Sequence, residues 1–445
     1  MGPVSMANDE KKLHIAMFPW LAFGHMIPYL ELAKLIASKG HRISFISTPR
    51  NIDRLPKLPP TLASLIDFVK LPLPHVGNLP DNAEATIDVS LNLVPFLKKA
   101  YDALQDSMTR FLEDSRPDWL LYDFVPYWLP PIARNLGIPT AFFSIVTAAF
   151  LSFIGTKERM GERKSPEDYT VAPRRNRRRG RRFGEALQGC DLVAVRGCVE
   201  FEPEWLSLLE DLNRKPVLPV GQLPTTAYDS EDDTDTWRWM KAWLDRQSKE
   251  SVVYVAFGSE AKPSQTELTE IALGLEQSEL SFFWVLRTRR GPADTEVIEL
   301  PEGFEERTKE RGVVCTSWAP QFKILAHDSV GGFLTHSGWS SVVESLQFER
   351  PLILLTFSAD QGINAKVLDE KKIGYLIPRK EQDGSFTRDS VAESLRLVIV
   401  EEDGKAYKDK AKEMKELFGD RDSQDRYVNS FLRYLETHRQ PQKVE

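Results

Sequence analysis

Residues Leu13 to Ser47 read LHIAMFPWLAFGHMIPYLELAKLIASKGHRISFIS. Leu13 to Phe18 is an apolar run of strand length, and Pro28 opens a helical stretch whose Leu30, Ala33, Leu35 and Ile36 lie near one face. Gly40 closes that helix, and His41 to Ser47 is the next strand. The strand pattern returns at Pro117 to Asp123 (PDWLLYD), at Pro139 to Ile145 (PTAFFSI) and at Asp191 to Gly197 (DLVAVRG). Strands alternating with helices predict a parallel sheet covered on both faces.

Past Pro219 the character changes. Tyr228 to Thr236 (YDSEDDTDT) is acidic and poor in apolar residues, so it reads as an exposed linker before a helix carrying Trp239 and Trp243. A second series of strands then follows at Ser251 to Phe257, Phe282 to Arg287, Val313 to Thr316, Gly332 to Thr335 and Pro351 to Leu355, with a helix over Gln265 to Gln277. The fold class expected is α/β, with two doubly wound domains facing each other across a cleft at the carboxyl ends of their strands.

Composition narrows the function classes. With 445 residues, 42% hydrophobic and 10% aromatic, the chain is globular and large enough for about two to three domains. Its net charge of −7 lacks the field that draws a protein to nucleic acid or an anionic membrane, so a bound polyanion must be met locally. Three cysteines without C-x-x-C spacing form neither a disulfide framework nor a metal motif, which points to a reduced compartment. Met1 to Lys12 lacks a basic region ahead of an apolar one, so no export signal is read. Asn135 to Thr156 is uncharged for 22 residues, but Pro139 and the mixed pattern predict a buried strand and a buried helix there, with no membrane span.

From Trp318 to Gln361 the chain reads WAPQFKILAHDSVGGFLTHSGWSSVVESLQFERPLILLTFSADQ. Trp318 offers a flat apolar face for a base, with the backbone of Ala319 at its edge, and Gln321 and Glu344 suit a ribose diol. His336, Gly338, Ser340 and Ser341 fall between a strand and a helix, where backbone N–H groups and the helix dipole favour phosphate. Taken singly, Trp318 or His336 would read as core; as a spaced set they read as a nucleotide site. The order and spacing of these 44 positions resemble the signature box of the plant secondary-product UDP-glycosyltransferases. The similarity extends to the amino-terminal PWLAFGHMIPYLELAKLIASKGH, to Trp243-Leu-Asp245 and to Val255 to Ser259.

The resemblance implies a GT-B fold of two Rossmann-like domains. Residues 1–219 would hold the acceptor and 237–421 the UDP-sugar, with a linker at 220–236 and a terminal helix at 422–445 packing back on the first domain. It assigns Gly24 and Ser259 to the donor as well, Ser259 near the phosphates, and Trp339, Asp360 and Gln361 to the donor sugar; a Gln at the end of the box goes most often with UDP-glucose. It also matches His25 and Asp123 to a catalytic pair. His25 follows the first strand in a loop and Asp123 ends the strand WLLYD at the same sheet edge, so a carboxylate can orient an imidazole base. The reaction implied is a single inverting displacement with no metal; Asp233-Thr234-Asp235 lies in the acidic linker and reads as solvated loop.

Two residues depart from the family pattern. Ser337 stands for the usual Cys and Ser340 for the usual Asn, so a hydroxyl must make the phosphate contact of an amide or the contact is lost. HSGWSS and the segment Ser47 to Pro60 resemble a branch that attaches sugars to sugars already on a glycoside. Phe23, Tyr127, Trp128, Ser144, Ile145 and Phe150 fall in acceptor-facing segments by the same resemblance. A terpenoid or flavonoid glycoside is the expected acceptor, the protein a cytoplasmic monomer. UDP-rhamnose or UDP-xylose as donor and a silent nucleotide-sugar binder are the alternatives. Arg174 to Arg182 (RRNRRRGRR) reads as a basic loop, and without interleaved aromatics it does not make a nucleic-acid partner.

Overall fold

The computed structural model describes residues 12–154, 177–225, 235–258, 261, 263–287, 297–357 and 360–440, with backbone alone at 177–181. The first sheet is built from β1 (His14–Phe18), β2 (Arg42–Ser47), β3 (Ile66–Lys70), β4 (Trp119–Tyr122), β5 (Thr140–Ser144), β6 (Leu192–Val195) and β7 (Val217–Pro219). Their order is β3-β2-β1-β4-β5-β6-β7 and every pairing is parallel. The second sheet holds β8 (Val252–Ala256), β9 (Ser281–Val285), β10 (Gly312–Cys315), β11 (Val330–Thr335), β12 (Leu352–Leu354) and β13 (Gly374–Leu376). It runs β10-β9-β8-β11-β12-β13, again parallel throughout.

Both sheets are doubly wound, as expected. The central strands β4, β5, β6, β8 and β11 are buried along their whole length, because helices cover both faces and solvent reaches neither. The uncharged window resolves into β5 and the helix Ala148–Ile154. Among the described residues no helix is long and apolar enough to cross a membrane.

Two expectations about local structure need correction. The first helix runs Phe23–Ser38, starting five residues before Pro28, so His25 sits in a helical first turn and not in a loop. Pro28 is tolerated inside because its missing N–H forfeits only the bond to the Gly24 carbonyl, while Ala22 O receives the His25 and Met26 amides. The Arg-rich run is likewise not all loop: its second half enters the helix Arg177–Gly189, while residues 174–176 lie outside the described residues. Most of the acidic linker lies outside them too. Asp235 opens the helix Asp235–Leu244 and pairs with Arg238.

The carboxyl-terminal helix, Arg421–Thr437, starts on Asp420, whose side chain accepts the Asp422 and Ser423 amides. Its Val428, Phe431, Leu432 and Leu435 join the apolar cluster of Leu13, Ile15, Tyr29 and Trp119 in the first domain. Trp119 Nε1 donates to Leu435 O (2.9 Å), and Lys39 pairs with Asp425 (2.9 Å). Gly221, at φ +84°, lets the chain pass against Gln424, whose amide bonds Val220 O (2.6 Å) and Leu223 N (2.9 Å).

Glu202 has no solvent exposure and lies against Ala149 and Gly197. One carboxyl oxygen accepts the Ala149 amide (3.2 Å) and the other has no partner. Burial pushes its pKa up from 4.5 to about 8. The folded state therefore holds a proton that the unfolded chain releases above pH 4.5, and stability contributed by the neutral form, fully present below pH 4.5, is lost progressively as pH rises to about 8. Glu202→Gln should remove this loss: between pH 5 and 8 the wild-type urea midpoint is expected to fall more steeply than that of the variant. Equal slopes for the two proteins would contradict it.

Candidate active site

β1 and β4 are neighbours although three strands apart in sequence, and so are β8 and β11. At each such switch point the following segments diverge to opposite faces and leave a crevice at the carboxyl edge. His25 follows β1 and Asp123 follows β4. His25 Nδ1 meets Asp123 Oδ2 at 2.7 Å, with side-chain exposures of 19% and 3%. The carboxylate is held on both oxygens, Oδ2 also accepting the Trp20 amide (3.0 Å) and Oδ1 the Phe124 amide (2.7 Å). A carboxylate accepts only, so the ring proton sits on Nδ1 and the basic lone pair on Nε2. The Phe124 ring lies 5.5 Å from the imidazole, beside Trp20 and Phe183.

Gly258 follows β8 and His336 follows β11. Any side chain at Gly258 or Gly338 would strike the His336 ring, so two glycines frame the imidazole. Burial lowers its pKa to about 4, leaving it neutral and able to hydrogen-bond without charge. Ser337 holds φ +68° and a buried hydroxyl without a partner, strain of about 1–3 kcal/mol that the Asn364 amide helps to fix by donating to its carbonyl (3.1 Å). The helix Trp339–Gln347 begins directly after Gly338, which aims the unpaired amides of its first turn at the crevice.

Along that helix Glu344 accepts from Gln321 Nε2 (2.8 Å) and Thr225 Oγ1 (3.0 Å), and Gln321 also reaches Ser341 Oγ (3.2 Å). Burial raises the pKa of Glu344 against the pull of those two hydrogen bonds. Trp318 is 65% exposed, an unusual state for a large aromatic and one suited to stacking, with Ala319 partly buried beside it. Asp360 accepts from Asn364 (2.9 Å), and the Gln361 oxygen accepts the Phe357 amide (2.8 Å). A cavity of about 190 Å³ joins the two domains, lined by Gly24, Arg196, Thr225, Ser340 and Glu344 among others. A larger one, about 510 Å³, opens within the second domain beside Leu286, Ile298, Phe304 and Thr316, away from His25. No cluster of three metal-ligating side chains occurs among the described residues.

Several residues sit elsewhere than the sequence reading puts them. The Trp339 ring is buried against Phe201 (5.3 Å) and donates to Gln222 (3.1 Å), so only its backbone can face a donor sugar. Phe23 lines the cavity shared with Ser340 and Glu344, on the donor side. Trp128 is core, edge-on to Phe18 and bonded to Asp102 (3.2 Å). Ser144 is buried and donates to Val146 O (2.9 Å), while Ile145, Phe150 and Tyr127 are partly buried, Tyr127 beneath the Arg182 guanidinium (5.0 Å). Ser259 lies outside the described residues. Arg196, Gln222, Thr225, Trp20 and Phe124 are neighbours that sequence reasoning missed.

Known proteins share this arrangement. The family model described as UDP-glucoronosyl and UDP-glucosyl transferase matches residues 215–431. UDP-glycosyltransferase 91A1 of Arabidopsis thaliana is 55% identical, over 97% of this chain and 98% of its own length. The soyasaponin III rhamnosyltransferase of Glycine max is 42% identical over 98% of both. The solved structure of Phytolacca americana UGT2 complexed with UDP-2fluoro-glucose and pterostilbene superposes with a TM-score of 0.77 at 26% identity, covering 96% of this chain and all of that one. With 55% of its residues shared over nearly its full length, the chain belongs to the plant family 1 UDP-glycosyltransferases, enzymes of the GT-B fold.

Proposed function

We propose that this enzyme transfers glucose from UDP-glucose, with inversion, to a sugar hydroxyl of a terpenoid or flavonoid glycoside. The observation that carries the reading is the 2.7 Å contact of His25 with Asp123 at one switch point, facing the nucleotide box at the other. The first domain takes the acceptor, the second the UDP-sugar, and the chain crosses between them near residues 220–236. Uracil stacks on Trp318 with its edge at Ala319, the ribose bonds Gln321 and Glu344, and the phosphates meet Gly24, Ser259, His336, Gly338, Ser340 and Ser341. Asp360, Gln361 and the Trp339 backbone hold the sugar. Tyr127, Ile145 and Phe150 border the acceptor.

His25 Nε2 takes the proton of the acceptor hydroxyl, and that oxygen attacks the anomeric carbon. Asp123 stabilises the imidazolium that forms. The bond to the β-phosphate oxygen breaks on the opposite side, and UDP leaves against the amino-terminal turn of Trp339–Gln347. No metal is required in this scheme. Three buried thiols, Cys190, Cys198 and Cys315, fit a reducing cytosol, and the enzyme acts as a monomer. UDP-rhamnose is the second reading for the donor, favoured by the name of the soybean relative.

His25→Ala should lose transfer by roughly 10²–10⁴-fold while UDP binding persists. Asp123→Asn should fall by a similar factor, because its amide nitrogen would confront one of the three N–H donors around the carboxylate. Unchanged turnover in either variant would sink the pair as base and orienter. A panel of glycosides run with UDP-glucose, UDP-rhamnose and UDP-xylose, with products analysed for linkage, tests the rest. A β-linked glucoside from UDP-glucose is the expected product. An α-linked one would remove the inverting mechanism, and tight UDP binding with no transfer to any acceptor would favour a silent binder.

A further inference from the structure

Arg196 stands one residue past β6, fully buried. Its Nε donates to Gln222 O (2.8 Å), its Nη2 to Leu223 O (3.2 Å) and its Nη1 to Ser340 Oγ (2.7 Å). All three acceptors are neutral, and among the described residues no carboxylate forms an ion pair with it; Glu344 and Glu31 act on it only at longer range. Burial lowers its pKa to about 10, which leaves it charged at neutral pH. A guanidinium withdrawn from water with neutral partners alone is costly, and an anion arriving beside it relieves that cost.

The hydroxyl it holds belongs to the other domain. Ser340 is the second residue of the helix Trp339–Gln347, and it borders the interdomain cavity together with Arg196 and Gly24. A hydroxyl that accepts from Nη1 has its own O–H left to donate, and the adjacent charge both aims and strengthens that bond.

We propose that Arg196 is a positioning residue for the donor diphosphate, turning the Ser340 hydroxyl to a phosphate oxygen and supplying a charge from the first domain where a serine replaces the N–H donor of the usual asparagine. The inference rests on the donor reading of residues 318–361. The competing role is structural: Arg196 would balance Glu344 and Glu31, which border the same cavity, and pin residues 222–223.

Uridine carries the base and ribose without phosphate, so comparing it with UDP separates the two roles. In calorimetric titration, Arg196→Gln should bind UDP about tenfold or more weakly, with uridine affinity changed by less than about twofold. KM for UDP-glucose should rise in step with the loss. Adding Ser340→Asn to Arg196→Gln should restore most of the UDP affinity, because the amide reaches phosphate without help. An unchanged ratio of UDP to uridine affinity, or no recovery in the double variant, overturns the inference. Should Arg196→Gln fail to fold, Arg196→Lys is read by the same ratio, since one ammonium cannot hold both carbonyls and the hydroxyl. A wild-type enzyme that binds neither ligand would instead overturn the donor reading.

Discussion

The handedness of the strand crossovers is the constraint on which this molecule depends. A parallel connection winds right-handed, so a sheet that grows in both directions from its first strand must reverse its winding beside that strand. The reversals fall at β1/β4 and β8/β11. The four segments leaving those strands carry His25, Asp123, Gly258 and His336, which brings together residues as far as 98 positions apart without any local signal to join them. Chemistry is concentrated where the topology leaves a gap, not where the sequence is densest in polar residues.

The two histidines at these gaps are treated in opposite ways. Asp123, gripped by two backbone amides, stands against His25 and favours a protonated ring when one forms. His336 has no such neighbour, and burial between glycines keeps it neutral. Without a ligand it therefore offers a neutral hydrogen bond and no countercharge of its own to the proposed diphosphate. In a chain of net charge −7 that task falls to partial charges on helix amides and to a guanidinium carried in from the other domain. Placing the cation at the domain border puts it on the wall of the interdomain cavity, with Gly24, Ser340 and Glu344.

What was legible in the sequence follows from what is locally periodic. Central strands such as VVYVA and WLLY are continuous apolar runs because both faces are covered, and they were readable. The edge strands β3 (IDFVK), β7 (VLP) and β13 (GYL) are short or mixed, and nothing in their residues separates them from loop. Pro28 misled for a physical reason: proline favours the first helical position, yet as the sixth residue of this helix it costs one carbonyl's bond, which the helix bears. The loop and helix of the proposed nucleotide box were readable because spacing along one loop and helix is itself the signal. Its partners were not: Arg196 lies 144 positions from Ser340, and Gln222 lies 117 from Trp339.

Those unseen partners share a further property. Three polar links between the two sheets' domains converge on one region of the second: Arg196 on Ser340, Gln222 on Trp339, and Thr147 on Asn364, which in turn holds the Ser337 carbonyl. Apolar packing crosses the same border, Phe201 lying against Trp339 (5.3 Å) and Phe418 (5.5 Å), so the angle between domains is set by polar and apolar contacts together. Here the bonds that set the angle end on the residues that open the box helix. The placement of the domains and the geometry of that helix's first turn are thus coupled. A substitution at Gln222 or Thr147 is therefore expected to act on the proposed donor site through these bonds.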